Sequence, residues 1–355
     1  MLVEQDLSLP RPDTDKPVRR RAALGLLAGG LAASTLTRVE ARTVVRVANT
    51  QASSSISGQL LSEFGRRVNA RSKNLDVQIF GDSVLGGTQT IVEGVQLGTI
   101  QMSVAGYGVL GALVGEFGAM ELPYTFGTRL DMERILQITQ SALFEEWQKM
   151  LSDKAGIRIV APAWYYGHRD LIVTRAATTP AGLRGLKIRA VPARLYVETV
   201  RALGAVPTPV DWPETYSALA QGVIDGVDAA TDAMMFMKFF ESAKYMHLTH
   251  HITGLNAMIA NKRWHDALAS EDKKIVEEEL VWFQIEVAKK LAAAETAIVE
   301  ELKAKGVTIV PIDLSAFQRS VREARVAEQV AEAQKWRPDT LRRFRETVAR
   351  AGFRS

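Results

Sequence analysis

The amino-acid sequence predicts an α/β fold made of two lobes of similar build, and three observations support this prediction. A helix, a glycine and a strand follow one another at 90–105, and the same order returns at 211–227. Alternating helices and strands form parallel sheets, so the repeat indicates one such sheet in each lobe. A third segment, 270–305, has helical periodicity and is long enough to reach across both lobes.

The first copy of the pattern contains a helix with a clear end. Residues Thr90–Leu97 carry apolar and polar side chains at helical spacing, and Gly98 stands where a helix ends in the left-handed conformation. The next segment, Ile100–Ala105, is predicted to be a strand. Other short β-branched runs are also predicted to be buried strands: Thr43–Ala48, Val77–Phe80, Ile157–Ala161 and Leu186–Val191.

The second copy starts at Asp211, which has Glu214 three residues later in the spacing of a capping box. Gly222 is predicted to end the helix, and Val223–Val227 is predicted to be the strand. The amino-acid sequences of the two copies are similar around their glycines, which supports two related lobes.

Two helical regions follow the repeats. Apolar residues recur at steps of three and four through Ser270–Lys305, and Gly306 is placed to end this helix. The stretch from Ser315 onward is again predicted to be helical, with twice as many basic as acidic residues. Its positive charge indicates either a solvated helix face or a contact for an acidic partner.

Residues 1–41 are predicted to be an export signal. Three arginines at 19–21 precede an uncharged run from 22 to 37, and Val39 and Ala41 supply the small residues of a cleavage site. The run is shorter than the ~20 residues that a membrane-spanning helix needs. The adjacent arginines favour the twin-arginine route to the periplasm.

Composition excludes several kinds of site. The chain has 355 residues, no cysteine and only five histidines, so disulfides, thiolate zinc sites and cysteine nucleophiles are excluded. A net charge of +4 gives no reason to expect nucleic acid. Gly106–Gly111 matches a dinucleotide fingerprint, but Gly115 and Pro123 interrupt the helix that should follow, so no cofactor is expected.

Histidine offers little for chemistry. The cluster His247, His250 and His251 has no acidic ligand at helical spacing, so a structural role is expected and no metal site. His168, or one of these three, remains the candidate base if the protein is a secreted enzyme, although no nucleophile accompanies it.

Two arginines offer more. Arg189 alternates with the apolar residues of a predicted strand and lies near its end, where α/β proteins bind ligands. Arg169 follows another buried strand and three aromatic residues. Two guanidinium groups in one cleft would bind a carboxylate through bidentate hydrogen bonds, which lysine cannot reproduce.

An ordered series of motifs then resembles a known family. It comprises Leu85-Gly86, Gln96-x-Gly98, Leu122-Pro123-Tyr124, Gly185-Leu186-Lys187-Ile188-Arg189, Leu203-Gly204-Ala205-x-Pro207-Thr208-Pro209, Gln221-Gly222-x-Ile224-Asp225-Gly226 and Lys262-x-Trp264. The series resembles the extracytoplasmic solute receptors of tripartite ATP-independent periplasmic (TRAP) transporters, in particular the dicarboxylate type.

The resemblance implies a two-lobed periplasmic binding protein with crossing strands and a long helix that spans both lobes. It implies lobe I at 42–166 and 254–293, and lobe II at 167–253 and 294–355. The cleft would close on a small organic acid and deliver it to a membrane permease, without catalysis, and the receptor would be a monomer.

The resemblance also implies binding residues. The arginine that forms the carboxylate salt bridge corresponds to Arg189, and a frequent second contact corresponds to Arg169. The remaining candidates are Trp212 and Asn49, which correspond to family positions, together with Asp228 and Tyr107.

One segment departs from the sialic-acid receptors of that family. Asp225-Gly226 is followed by Val227-Asp228-Ala229-Ala230, so Ala229 stands where an asparagine would bind substrate. The departure favours a smaller aliphatic or aromatic carboxylate. Asp228 would either recognise a hydroxyl or amine of the ligand or pair with a nearby arginine. A third class of function, binding of an anionic polymer by the C-terminal helices, would show steep salt dependence.

Overall fold

The computed structural model describes residues 42–353, so the predicted export signal at 1–41 lies outside the described residues. The described part contains nine strands of one mixed sheet: β1 Thr43–Ala48, β2 Leu75–Phe80, β3 Met102–Gly106, β4 Ile157–Val173, β5 Lys187–Ala190, β6 Val206–Pro209, β7 Gly226–Ala230, β8 Tyr245–Asn261 and β9 Thr308–Ile309.

Thirteen α-helices cover the sheet in the same residues: α1 Ile56–Arg71, α2 Thr88–Leu97, α3 Tyr107–Leu110, α4 Met132–Thr139, α5 Ala142–Ala155, α6 Arg194–Ala202, α7 Thr215–Ala220, α8 Thr231–Phe236, α9 Lys262–Asp266, α10 Ser270–Ala304, α11 Leu314–Glu323, α12 Val326–Ala333 and α13 Thr340–Arg350. None of these helices has the length and apolarity needed to cross a membrane.

Two long strands connect the halves of the sheet, whose order is β2-β1-β3-β8-β4-β7-β5-β6, with β9 beside β8. Strands β4 and β8 have 17 residues each and pair antiparallel along most of their length. In the half of the sheet that contains β3, residues Ile157–Tyr165 of β4 pair with Leu255–Asn261 of β8. In the other half, residues Arg169–Val173 of β4 pair with β7 as well as with β8. The predicted α/β fold with crossing strands is confirmed.

The long helix α10 packs on both halves. It ends one residue before the predicted Lys305, and Gly306 follows with φ +85°. Leu280 and Phe283 belong to the hydrophobic cluster that includes β1 and β3, whereas Ile298 and Leu302 belong to the cluster around β7 and α8. Because the apolar stripe of α10 is buried at both of its ends, the helix connects the two halves of the sheet.

In the first copy of the pattern the helix and its glycine are confirmed, but the predicted strand Ile100–Ala105 is wrong at its first two residues, because β3 begins at Met102. Helix α2 ends at Leu97, and Gly98 adopts φ +81°, the left-handed conformation that a glycine provides without steric cost. Strand β1 also coincides with its predicted bounds.

The predicted strand Val223–Val227 of the second copy is wrong at its first residues, because β7 begins only at Gly226. The amides of Val223 and Ile224 both donate to the carbonyl of Ala218, at 2.9 and 3.3 Å, so the chain turns after α7 before it enters the sheet. Val223 is therefore half exposed rather than buried.

The basic C-terminal region is three helices, and much of its charge is paired within the chain. Arg337 Nε donates to Glu116 at 3.0 Å, and Arg343 Nη2 donates to Glu146 at 2.8 Å. Arg345 donates to Glu328 at 2.9 Å. These pairs favour the solvated-face interpretation over a large free basic surface.

Candidate functional site

A cleft lies where the parallel strands of both halves end. Gln51 follows β1 and Gly106 ends β3 on one side, while Val191 follows β5 and Ala230 ends β7 on the other. Arg169 on β4 forms part of the floor. The enclosed volume is ≈ 90 Å³. Open α/β sheets bind ligands at the carboxyl ends of their strands, so the topology makes this cleft the candidate binding site.

Arg189 is the second cation of this cleft, and it forms no ion pair among residues 42–353. Its side chain is 2% exposed, and its Nε donates to the carbonyl of Val210 at 3.0 Å. The guanidinium carbon lies 5.1 Å from the ring centroid of Trp212. Burial and the neighbouring charge of Arg169 lower the pKa of Arg189 to about 10, so the group remains cationic at neutral pH.

Arg169 has a carboxylate partner. Its Nε and Nη2 donate to the two carboxylate oxygens of Asp228 at 3.0 and 2.8 Å, and Nη2 also donates to the Asp228 carbonyl at 2.9 Å. Burial disfavours both charges, but the pair outweighs it, raising the pKa of Arg169 and holding the pKa of Asp228 well below its usual range. His251 Nε2 lies 3.1 Å from the same carboxylate.

Asp228 itself does not line the cleft, because it is fully buried and engaged with Arg169 and His251. Of the two roles that the sequence left open, its position supports pairing with an arginine. Both arginines expected to bind the carboxylate line the cleft, and among the described residues Arg169 forms an ion pair whereas Arg189 forms none.

The other expected binding residues divide into two groups. Trp212 lines the cleft beside Arg189. Asn49 is 1% exposed and lies just outside the lining, which its neighbours Thr50 and Gln51 form instead; its Oδ1 accepts from the Gln51 amide at 2.9 Å. Tyr107 does not reach the cleft.

Tyr107 points into the core because the chain enters α3 directly after β3. Its hydroxyl donates to the carbonyl of Pro162, and its ring stacks on Phe117 with centroids 5.8 Å apart. Tyr107 therefore does not line the cleft, although its neighbours Gly106 and Val109 do.

The glycines of the fingerprint have a packing role. A Cβ on Gly108 would stand 2.6 Å from the ring of Tyr196, and a Cβ on Gly106 would stand 2.9 Å from its hydroxyl. Only glycine lets α6 approach so closely, so packing against Tyr196 accounts for glycine at both positions.

A buried acid lies beneath the cleft, and the sequence analysis missed it. Glu121 accepts hydrogen bonds from the hydroxyls of Tyr196 at 2.6 Å and Tyr166 at 3.0 Å, and from the Gly108 amide at 2.8 Å. Burial raises its pKa despite these bonds. Tyr166 also accepts from Arg169 Nη1 at 3.2 Å, so the network braces the paired arginine.

A larger groove of ≈ 440 Å³ lies between Leu122–Thr125 and the C-terminal helices. It contains neither Arg189 nor Arg169; of its three arginines, Arg345 is paired with Glu328, and Arg322 and Arg325 are exposed to solvent. The smaller cleft is the better candidate because it holds a buried cation without a counter-ion.

Comparison with known proteins agrees with this architecture. The family described as bacterial extracellular solute-binding protein, family 7, matches residues 47–332. The chain belongs to this family. As a family 7 protein it is a solute receptor of the TRAP type, an extracytoplasmic class that works with membrane permease components.

Family 7 relatives cover most of the chain. The 2,3-diketo-L-gulonate-binding periplasmic protein of Escherichia coli is 28% identical over 72% of this chain and 77% of its own length. The C4-dicarboxylate-binding periplasmic protein of Rhodobacter capsulatus is 29% identical over 71% of this chain and 75% of its own length.

A TRAP periplasmic solute-binding protein of Actinobacillus succinogenes, solved with bound L-galactonate, superposes with a TM-score of 0.80 at 27% identity and covers 87% of this chain and 100% of its own. A second family 7 structure, from Fusobacterium nucleatum with bound glycerol-3-phosphate, has a TM-score of 0.81 at 27% identity, with 88% and 98% covered.

Proposed function

We propose that this family 7 receptor binds a small organic acid in the cleft, with the ligand carboxylate on Arg189. The observation that carries the proposal is the contrast in partners: Arg169 is neutralised by Asp228, whereas Arg189 is buried without a carboxylate. A buried cation without a counter-ion is costly, and a bound carboxylate would supply the missing charge through charge-assisted hydrogen bonds.

The walls of the cleft favour a small ligand with few hydroxyl groups. Ala229, Ala230 and Ala233 line one side of the cleft. Gln51 and Asn256 are the side-chain amides that remain for hydroxyl or carbonyl groups. These features support a short aliphatic or aromatic carboxylate over a long sugar acid.

The experiment is a melting-temperature screen over mono- and dicarboxylates, followed by calorimetric titration of the best ligand. Arg189→Lys keeps a charge but loses the planar fork, so binding should weaken; Arg189→Ala should weaken it more, by roughly 2–5 kcal/mol for a buried charge pair. Lys187→Ala, an exposed residue on the same strand, is the matched control.

Wild-type affinity in folded Arg189→Ala would remove Arg189 from the site. A loss of stability in this variant with unchanged affinity would assign the arginine a structural role instead.

The same arrangement supports binding without catalysis. None of the five histidines, all within the described residues, lines the cleft, so no histidine base stands beside Arg189. The paired C-terminal arginines likewise give no support to a polymer-binding function. A solute assay in the presence of the identified ligand should show binding and no turnover.

We further propose export through the twin-arginine route, with cleavage after Ala41, and a monomer whose lobes comprise 42–166 with 254–293 and 167–253 with 294–355. Mass spectrometry of periplasmic protein should find an N-terminus near Arg42, whereas an intact Met1 would contradict export. Small-angle scattering should show compaction on addition of ligand, because a ligand that bridges two lobes favours their closed arrangement.

A further inference from the structure

Three side chains with metal-binding atoms meet at an irregular part of the β4–β8 pair, where α10 packs on the sheet. His168 on β4, His250 on β8 and Glu295 on α10 each offer one ligand atom, and these atoms lie within 4.8 Å of one another. We call these three residues the crossing cluster. It does not line the cleft, so the proposed ligand site makes no use of it.

The histidines of the crossing cluster have nitrogen atoms without hydrogen-bond partners. His168 is 2% exposed, and within the described residues its Nε2 has no partner, while its Nδ1 lies 2.9 Å from the hydroxyl of Tyr165 and 3.3 Å from Glu295 Oε1. His250 Nδ1 lies 3.2 Å from Asp170 Oδ1 without forming a hydrogen bond. A buried polar atom without a partner costs free energy, and a metal ion would satisfy it.

The backbone at His250 is held in an unfavourable conformation. Ile252 pairs with Arg169 and His247 pairs with Leu171, so the residues between them form a bulge in β8. His250 has φ +43°, which is uncommon for a residue with a side chain, and its amide donates to Asp170 Oδ1 at 2.7 Å. Backbone strain of this kind occurs preferentially at functional sites.

The surroundings of the crossing cluster are acidic. Asp170 is fully buried, and its Oδ1 lies 3.2 Å from His250 Nδ1. In residues 42–353, the ion pairs formed by Glu295 and Asp170 are with the two histidines, not with lysine or arginine. The local charge therefore suits a divalent cation.

We propose that the crossing cluster binds one divalent transition-metal ion of the zinc class, with His168, His250 and Glu295 as protein ligands. Imidazole nitrogen and carboxylate oxygen suit zinc and cobalt, whereas calcium and magnesium prefer oxygen ligands alone. A tetrahedral zinc ion holds its ligand atoms on the order of 3.3 Å apart, so small side-chain rotations would complete the site.

A metal at this position would join the two strands that run through both halves of the sheet to the helix above them. The sequence could not indicate the site, because the acidic ligand comes from α10 and not from the histidine segment. The fold brings Glu295 next to His168 and His250, which have no acidic ligand at helical spacing in their own segments.

The test uses the full mature chain without a polyhistidine tag, freed of metal with a chelator and titrated with Co²⁺. The ligand-field absorption of cobalt should appear at one equivalent per chain, and added Zn²⁺ should abolish it by displacement. Ca²⁺ and Mg²⁺ should leave it unchanged. The melting temperature of the metal-free protein should rise on addition of Zn²⁺.

His250→Gln and Glu295→Gln, at partly exposed positions, should each weaken Co²⁺ binding by roughly tenfold or more, as expected for loss of a ligand or its support. His265→Gln and Glu300→Gln, a histidine on α9 and an exposed glutamate on α10, are the matched controls and should bind as wild type. Absence of cobalt absorption in the wild type, or equal binding by all four variants, would overturn the proposal.

The metal site and the ligand site are separately testable. The metal-free His250→Gln and Glu295→Gln variants should bind the carboxylate identified above within about twofold of wild type, because neither side chain lines the cleft. A failure of cobalt binding with intact carboxylate binding would reject the metal site alone.

Discussion

Arg169 and Arg189 border the same cleft but differ in what compensates their charge. Arg169, on the crossing strand β4, donates to both carboxylate oxygens of Asp228, whereas Arg189, on β5, donates to a backbone carbonyl and packs on Trp212. A buried ion pair is internally compensated, but a lone buried cation is not. The partner, more than the position at a strand end, distinguishes a framework arginine from a ligand-binding one.

The largest effect is expected where the compensated pair is broken. Asp228→Asn leaves Arg169 buried without a counter-ion, so the free energy of unfolding should fall by roughly 3–5 kcal/mol. Urea unfolding at neutral pH measures this change. The double variant Arg169→Met/Asp228→Leu should recover much of the loss, since neither charge remains; a single variant as stable as wild type would show that the pair is not the compensating element.

Arg189 should behave in the opposite way. Arg189→Met removes a buried charge that lacks a counter-ion, so the free energy of unfolding without ligand should stay unchanged or rise. The same variant should lose ligand affinity. Urea unfolding of the ligand-free protein checks the first expectation, and a marked loss of stability would place Arg189 in the framework together with Arg169.

The acid beneath Arg169 predicts a pH dependence. Burial raises the folded-state pKa of Glu121 above the value of about 4.3 for an unfolded chain, so the folded protein holds this proton more tightly. Its contribution to stability is therefore fully present below that pH and is lost as pH rises through the folded-state pKa. Glu121→Gln should flatten this part of the stability profile, measured as melting temperature against pH; parallel profiles would contradict the assignment.

The smallest effect concerns the ring beside the unpaired arginine. Trp212→Leu removes a cation–π contact, so calorimetric titration should find ligand affinity weaker by about two- to fivefold. Tyr216→Phe, at an exposed aromatic residue on α7, is the control and should bind as wild type. Unchanged affinity in Trp212→Leu would show that the ring does not hold the guanidinium in place.

Local signals predicted those parts of the fold whose causes are local. The bounds of β1, the end of α2 at Gly98 and the extent of α10 to within one residue follow from periodicity and from glycine conformation. The start of β7 does not follow from these signals, because it depends on a turn in which the amides of Val223 and Ile224 both donate to the carbonyl of Ala218.

The site was predictable to the same extent. Arg189 and Trp212 could be proposed from strand alternation and the family motifs, and the structure brings both to the cleft. Glu121 and Tyr196 could not, because they are 75 residues apart and meet only after both halves of the sheet have formed. Nothing in the sequence indicated that the side chain of Tyr107 is buried in the core, because this depends on the single helical turn α3 that begins at Tyr107.

The C-terminal helix α13 completes the core of a region formed much earlier in the chain. Phe344 packs against Phe126 and Trp147, with ring centroids 6.5 and 6.0 Å apart. During synthesis from the N-terminus, these aromatic surfaces stay uncovered until the final helix emerges. The last helix therefore completes the hydrophobic core of the first half of the sheet. A chain that ended before Thr340 would leave exposed an apolar face that α13 covers in the intact protein.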